Sequence, residues 1–342
     1  MVTVSAGGRL HVGFQNLALA HERLYGGIGI GLDEPRVRVR ARRAETVVAP
    51  TGAPRRYAKL AVSILGVPGV ELDVERALPR HVGFGSGTQL AIATYAATAL
   101  AYDRVPSVRE HAPALGRGGR SGVGVATFEG ASFVVDAGHP SSAFADGPPI
   151  SGEWTVPPVV TRLSLPEEWR FVIVVPDVDV GRNGTVEEAS MRSVVERADP
   201  SVADEIASIV TRRLLSGART GDLDRFGAAV ESVDRLNGSW YTDVQDDVYP
   251  STVSALLEEL SDEPSFAGLA QSSWGPAVFG VTNVRNVDDA ESAASDAVSA
   301  CGFDGTVYRT RAIDGGARIE PEGRPVVAHD PPRGVTVRQQ SP

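Results

Sequence analysis

Apolar and polar positions change period along this chain, and the change divides it into two halves. In the first half the period is two. Residues 36 to 42 (RVRVRAR) put Val37, Val39 and Ala41 on one face and arginines on the other, as a half-buried strand requires. Residues 70 to 76 (VELDVER) alternate likewise, with Val70, Leu72 and Val74 opposite Glu71, Asp73 and Glu75. Side by side, two such strands would bring an arginine face against a carboxylate face. An apolar helix is expected over about 88–103, directly behind a glycine-rich loop. Residues 116 to 138 (GRGGRSGVGVATFEGASFVVDAG) read as a glycine-rich loop and then two strands turning near Glu129 and Gly130. The stretch 138–160, rich in proline, glycine and small residues, is expected to be a domain boundary or a flap over a site.

In the second half strand and helix patterns alternate. FVIVVPDV (171–178) is a buried strand; Val202, Ile206, Ile209, Val210 and Leu214 have helical spacing, as do Val253, Leu256, Leu257 and Leu260. A strand is expected over 277–281. A helix opened by an Asp288–Glu291 capping box and closed before Gly302 follows, then a strand over 306–313. This order fits a ferredoxin-like α+β sandwich. The expected organisation is an N-terminal β-rich domain (1–160), a C-terminal ferredoxin-like domain (161–315) and a polar, proline-rich, frayed tail (316–342).

Composition narrows the class. Hydrophobic residues are 42% and charged residues 22%, as in globular proteins, and no run approaches the ~18 apolar residues of a membrane span. The start, MVTVSAGGRLHVGF, has no basic segment before an apolar one, so a cytoplasmic location is expected. The single cysteine, Cys301, excludes an internal disulfide and a multi-cysteine zinc site. The histidines form no metal-binding spacing, so no protein-held metal is expected. Net charge is −10, and Lys59 is the only lysine among 33 basic residues. Acidity without lysine points to a high-salt cytoplasm, although a GC-rich genome gives the same arginine bias. It argues against general nucleic-acid binding, which needs a basic face.

The sharpest chemical feature is PRHVGFGSGTQLA (79–91). Gly83, Gly85 and Gly87 leave backbone amides free to turn toward an anion, Ser86 and Thr88 add hydroxyls, and the helix behind adds its positive end. The spacing is neither that of a P-loop nor that of a dinucleotide fingerprint.

This stretch resembles the second motif of the GHMP superfamily, Pro-x-x-x-Gly-Leu-Gly-Ser-Ser, in which the loop wraps nucleotide phosphates. Pro79, Gly83, Gly85 and Ser86 match, while Phe84 and Gly87 depart from it. With GGRLHVGFQNL (7–17), RLYGGIGIGLDEPR (23–36), residues 116–138 and QSSWGP (271–276), the chain resembles the β-ribofuranosylaminobenzene 5′-phosphate synthase family over roughly 5–315. The resemblance implies an α+β, GHMP-kinase-like two-domain fold without kinase activity. It implies a phosphoribosyltransferase that joins 5-phosphoribosyl 1-diphosphate to 4-hydroxybenzoate or 4-aminobenzoate. Diphosphate and CO₂ depart in an early step toward methanopterin-type cofactors. It also implies substrate-bridging Mg²⁺, no organic cofactor and a homodimer.

A kinase is the competing reading, and a non-catalytic phosphate-ligand sensor a third. Kinases of this superfamily commonly use a lysine in the N-terminal motif and an aspartate in Ser-Gly-x-Asp. Here residues 8–13 contain no lysine, and Gly124 stands where the aspartate would, unable to accept a proton. The 271–276 segment is also altered from the third motif. For phosphoribosyl transfer, Arg9 and Arg117 are the expected phosphate clamps, with Gly83, Gly85, Ser86, Gly87, Thr88 and Ser121 completing the phosphate site. His11 and Arg120 are the expected catalytic residues, His11 because imidazole titrates near neutrality. Phe14, Gln89 and Trp274 are expected around the acceptor, with Asn16, Asn237 and Gln245 as further polar candidates.

Overall fold

The computed structural model describes residues 1–145, 152–178, 185–245, 247–320 and 324–327. The first sheet grows around two long antiparallel strands, β1 (Val2–Asn16) and β2 (Arg23–Arg43). The far half of β2 pairs with β4 (Val70–Arg76), beside which lies the short β3 (Val47–Val48). Its near half pairs with β5 (Phe133–Asp136) and β6 (His139–Pro140), and β5 continues to β7 (Val159–Leu163). The charged faces of β2 and β4 meet as expected. Arg40 contacts Asp73 at 3.1 Å and Glu75 at 2.7 Å, and Arg42 contacts Glu71 at 2.5 Å. RVRVRAR is thus a neutralised strand face, with its valines in the core.

Helices α1 (Ala53–Leu65) and α2 (Ser86–Ala101) cover the core face of this sheet. Helix α3 (Val123–Glu129) occupies a segment expected to be a strand. All of its residues are buried, and with Thr127 and Glu129 as its only polar residues it has no polar face to mark a helical period, so it reads alike as strand or helix. Its seat is built into β2. In GGIGIGL, Ile28, Ile30 and Leu32 fill one side, while Gly27, Gly29 and Gly31 leave the other side bare. A Cβ on Gly29 would lie 2.4 Å from Val123 Cγ1 and 2.6 Å from the Leu10 carbonyl oxygen.

The second sheet has the order β11 (Gly305–Thr310), β8 (Trp169–Pro176), β10 (Val278–Asn283), β9 (Gly268–Gln271), all antiparallel. Between β8 and β9 run α4 (Thr185–Arg197), α5 (Pro200–Ile209), α6 (Leu223–Ser239) and α7 (Ser251–Leu260), joined by shorter helical turns. Helix α8 (Val287–Ala300) links β10 to β11. This is the ferredoxin-like arrangement. Asp288 and Glu291 do not form a capping box. Helix α8 begins at Val287 after Asn286, so both acids fall inside its first turns, and Arg309 reaches them at 2.5 and 3.6 Å. One continuous apolar core joins Leu10, Ile28 and Phe133 of the first sheet to Phe171, Phe226 and Phe279 of the second unit.

The segment after Gly316 does not begin a frayed tail. The strand β12 (Arg318–Glu320) pairs with Thr3–Ser5 of β1, and β13 (Arg324–Pro325) pairs with β12. The outer edge of β1 carries backbone donors and acceptors that need partners, and the returning chain supplies them. Val326 and Ala317 are buried there. Residues 321–323 and 328–342 of that expected tail, and the centre of the expected flap, 146–151, lie outside the described residues.

Gly29→Ala is expected to destabilise the protein by about 2 kcal/mol, because one contact is a short branched side chain and the other is backbone. Denaturant unfolding measures it. Adding Val123→Ala should recover only part of the loss, since the Leu10 carbonyl stays in place.

Candidate active site

Three stretches far apart in sequence converge on the carbonyl of Gly83. It accepts a hydrogen bond from the Arg9 guanidinium and another, at 2.9 Å, from the Ser272 hydroxyl. The Arg9 backbone N–H donates to Phe84 O at 3.0 Å, His11 N–H to Ser272 Oγ at 3.1 Å and Ser273 N–H to His11 O at 3.1 Å. Phe84 itself is fully buried against Tyr308, so an apolar residue of either shape can anchor the loop there. Gly85 adopts φ 68°, ψ 25° at the start of α2, a left-handed conformation that suits glycine.

The loop floors a groove of about 540 Å³ lined by Gly83, Gly85, Ser86, Gly87 and Thr88. Arg9 and Arg117 border it closely. A Cβ on Gly85 would come 3.1 Å from Arg9 Nε, and one on Gly87 would come 3.1 Å from Arg117 Nη2. Arg117 also hydrogen-bonds the Tyr57 hydroxyl, and both Arg117 and Arg56 lie over the Tyr57 ring. Burial lowers both clamp arginines to about 10, so each keeps its charge at neutral pH. Arg56, Arg80 and His81 complete the basic lining.

A larger chamber of about 930 Å³ shares Arg9, Thr88, Arg117, Ser273 and Trp274 with the groove. His11, Phe14, Arg120 and Ser121 line it, with Tyr25, Trp154, Tyr241, Asp234 and Asn237. Phe14 meets His11 edge-on at 4.9 Å, and Tyr241 meets Trp274 at 4.8 Å. Asn237 clamps the Phe14 backbone, accepting from its N–H at 2.7 Å and donating to its carbonyl at 3.0 Å. Asp136, buried behind the 116–122 loop, accepts from Ser121 Oγ at 3.2 Å and Gly122 N–H at 2.7 Å and so fixes the loop that carries Arg120.

Two expectations change here. His11 does not titrate near neutrality: burial and then the charge of Arg9 push it down to about 3, so it is a neutral imidazole. Gln89 lines neither cavity. It is fully buried and donates from Nε2 to Gly124 O at 2.9 Å, tying α2 to α3. Asn16 likewise serves its own turn, donating to Ala18 O and Arg23 O, and the Gln245 side chain lies outside the described residues. Gly124 packs so tightly that a Cβ would lie 2.9 Å from Thr88 Cγ2; an acidic side chain there would have to displace Thr88.

Sequence reading missed Asp234. It sits on α6 between Val233 and Asn237, on the face that carries Phe226 and Val230. An acid on the apolar face of an amphipathic helix was the available clue. Burial raises its carboxyl to about 7. Among the described residues no group of three His, Cys, Asp or Glu is placed to hold a metal ion, and no helix is long and apolar enough to cross a membrane.

Residues 53–130 match the family model described as the GHMP kinases N terminal domain. The chain is 30% identical over 297 residues to the β-ribofuranosylphenol 5′-phosphate synthase of Methanothermobacter thermautotrophicus, covering 82% of this chain and 89% of that protein. It is 27% identical over 328 residues to the protein of the same name from Archaeoglobus fulgidus, covering 94% and 100%. Among solved structures it resembles homoserine kinase from Cytophaga hutchinsonii, with a TM-score of 0.63 at 17% identity, covering 93% of this chain and 96% of that one. Streptococcus pneumoniae phosphomevalonate kinase gives a TM-score of 0.64 at 11% identity, covering 92% and 100%. The two-domain α+β fold is therefore that of the GHMP kinases, and the chain belongs to the β-ribofuranosylphenol 5′-phosphate synthase family.

Proposed function

We propose that this enzyme is a pentosyltransferase that condenses 5-phosphoribosyl 1-diphosphate with 4-hydroxybenzoate, releasing diphosphate and CO₂ to form a C-riboside 5′-phosphate for methanopterin-type cofactor synthesis. The observation that carries the reading is the pair of joined cavities. An arginine- and glycine-lined groove adjoins an aromatic chamber with which it shares five lining residues, as a reaction between a phosphorylated sugar and a flat aromatic acid requires. The phenol in the relatives' names favours 4-hydroxybenzoate over its amino counterpart.

The roles follow from charge. Departure of diphosphate leaves an oxocarbenium-like C1, so positive charge belongs at the phosphates and away from the sugar face. Arg9 and Arg117 keep their charge in the groove, and the amides of the 83–88 loop add dipoles of the same sign. The neutral state of His11 suits this division, because an imidazolium beside C1 would oppose the developing cation. The groove is lined by guanidinium and glycine rather than by carboxylates. A Mg²⁺ ion would therefore arrive on the diphosphate, where it would neutralise the leaving group. We further assign the enzyme to the cytoplasm of a salt-loving organism and to a homodimer.

Purified protein supplied with 5-phosphoribosyl 1-diphosphate, Mg²⁺ and 4-hydroxybenzoate in molar KCl should release diphosphate and CO₂ in equal amounts. ATP consumption with a metabolite alcohol, and no diphosphate from the sugar, would establish a kinase instead. Arg117→Lys should raise KM for the sugar diphosphate about tenfold, since an ammonium loses bidentate phosphate binding, and leave KM for the benzoate nearly unchanged. Initial-rate kinetics with each substrate varied in turn provides the check.

A further inference from the structure

Among the described residues two carboxylates line the chamber, and they differ in kind. Glu153 is exposed, whereas Asp234 is buried at 6% relative exposure. The Asp234 carboxylate is also held on one side only. Tyr249 O–H donates to Oδ2 at 2.9 Å and the Gln271 backbone N–H donates to the same oxygen at 3.0 Å. Oδ1 accepts no hydrogen bond from the described residues. Two donors on one oxygen orient the carboxylate and leave the second oxygen for whatever enters the chamber. One helical turn further on, Asn237 holds Phe14, and the Tyr241–Trp274 pair forms an aromatic wall close by.

Resting on the phosphoribosyl-transfer reading above, we infer that Asp234 is the general base that takes the para-hydroxyl proton of the acceptor, oriented by Tyr249 and the Gln271 amide. As the O–H proton moves to Oδ1, the oxygen electron pair pushes into the ring. The ring carbon that bears the carboxylate then bonds to C1 of the ribose, while the C1–oxygen bond to diphosphate breaks with its electrons on the leaving group. The product is a cyclohexadienone still carrying the carboxylate. Loss of CO₂ returns that bond's electrons to the ring, and the phenolic oxygen recovers its proton from Asp234. Charge and atoms balance, and no oxidant or reductant is needed.

The electrostatic surroundings support this role. Burial first, against the lowering hydrogen bonds from Gln271 and Tyr249 and with a smaller push from Glu231 one turn earlier, holds Asp234 at about 7. Tyr249 stays protonated, because burial and the adjacent Asp234 push its phenol far up. His11, facing the same chamber from β1, is neutral and a weaker base, and Arg192 lines the chamber from α4. A carboxylate of this basicity accepts a phenolic proton far better than an ordinary surface acid.

Asp234→Asn removes the base but keeps the shape, and Tyr249→Phe removes one donor. Asp234→Asn should lower kcat at least a hundredfold and leave KM for 5-phosphoribosyl 1-diphosphate within about threefold. Activity of the parent enzyme should rise with pH through about 7, as Asp234 loses its proton. Loss of the Tyr249 hydrogen bond raises the carboxyl further, so Tyr249→Phe should move that acid limb to higher pH. Binding of 4-hydroxybenzoate alone should red-shift its near-ultraviolet band in the parent protein and not in Asp234→Asn. Parent-like kcat in Asp234→Asn, or an acid limb unmoved by Tyr249→Phe, would overturn the assignment with the transferase reading intact. Should Asp234→Asn not fold, the Tyr249→Phe limb decides. An unmutated enzyme that binds 4-hydroxybenzoate but releases no diphosphate would sink the transferase reading and this assignment with it.

Discussion

The Gly83 carbonyl, gripped at once by a guanidinium from β1 and a hydroxyl from the 271–276 segment, is the joint on which the active region depends. Each donor comes from a different part of the molecule, and neither could be replaced locally. A glycine-rich loop pays a large entropy cost to adopt one conformation. Here that conformation is set by partners outside the loop rather than by the loop's own residues. The same contacts align β1 with the segment carrying Trp274, so the groove and the chamber are built by one set of hydrogen bonds.

The surrounding burial sorts the ionisable groups by role. In one low-dielectric region two arginines stay charged, a histidine is held neutral and a carboxyl becomes a stronger base. Desolvation is the first cause in all four cases, and the outcomes differ because the unperturbed groups start from different values. Arginine begins so high that, lowered to about 10, it still keeps its charge. Histidine begins near neutrality, and a similar push removes it from the working range.

The fold is shared with homoserine and phosphomevalonate kinases, yet the chemistry proposed here transfers no phosphoryl group. A fold does not fix a chemistry, and a glycine-rich loop before a helix, as at residues 83 to 88 here, suits phosphate whatever then happens to it. Gly124 shows how the difference is built into packing. Its absent side chain lets α3 lie against Thr88 of α2, and any longer side chain there would have to displace Thr88. Catalytic groups must then come from elsewhere in the chamber.

By itself the sequence determined the period-two strands, the helix behind the glycine loop and the ferredoxin-like order of the second half. All of these are local: alternation, glycine spacing and helix polarity act over a few neighbouring residues. Only the tertiary structure decided the conformation of residues 123 to 129, which are buried on every side and pack on the bare glycine face of β2. It also sent residues 318 to 325 back to a sheet edge, moved Gln89 into the core and set the protonation of His11 and Asp234. Those outcomes depend on how deeply a group is buried, and that burial is set by distant segments, such as Ser272 against His11 and Gln271 against Asp234.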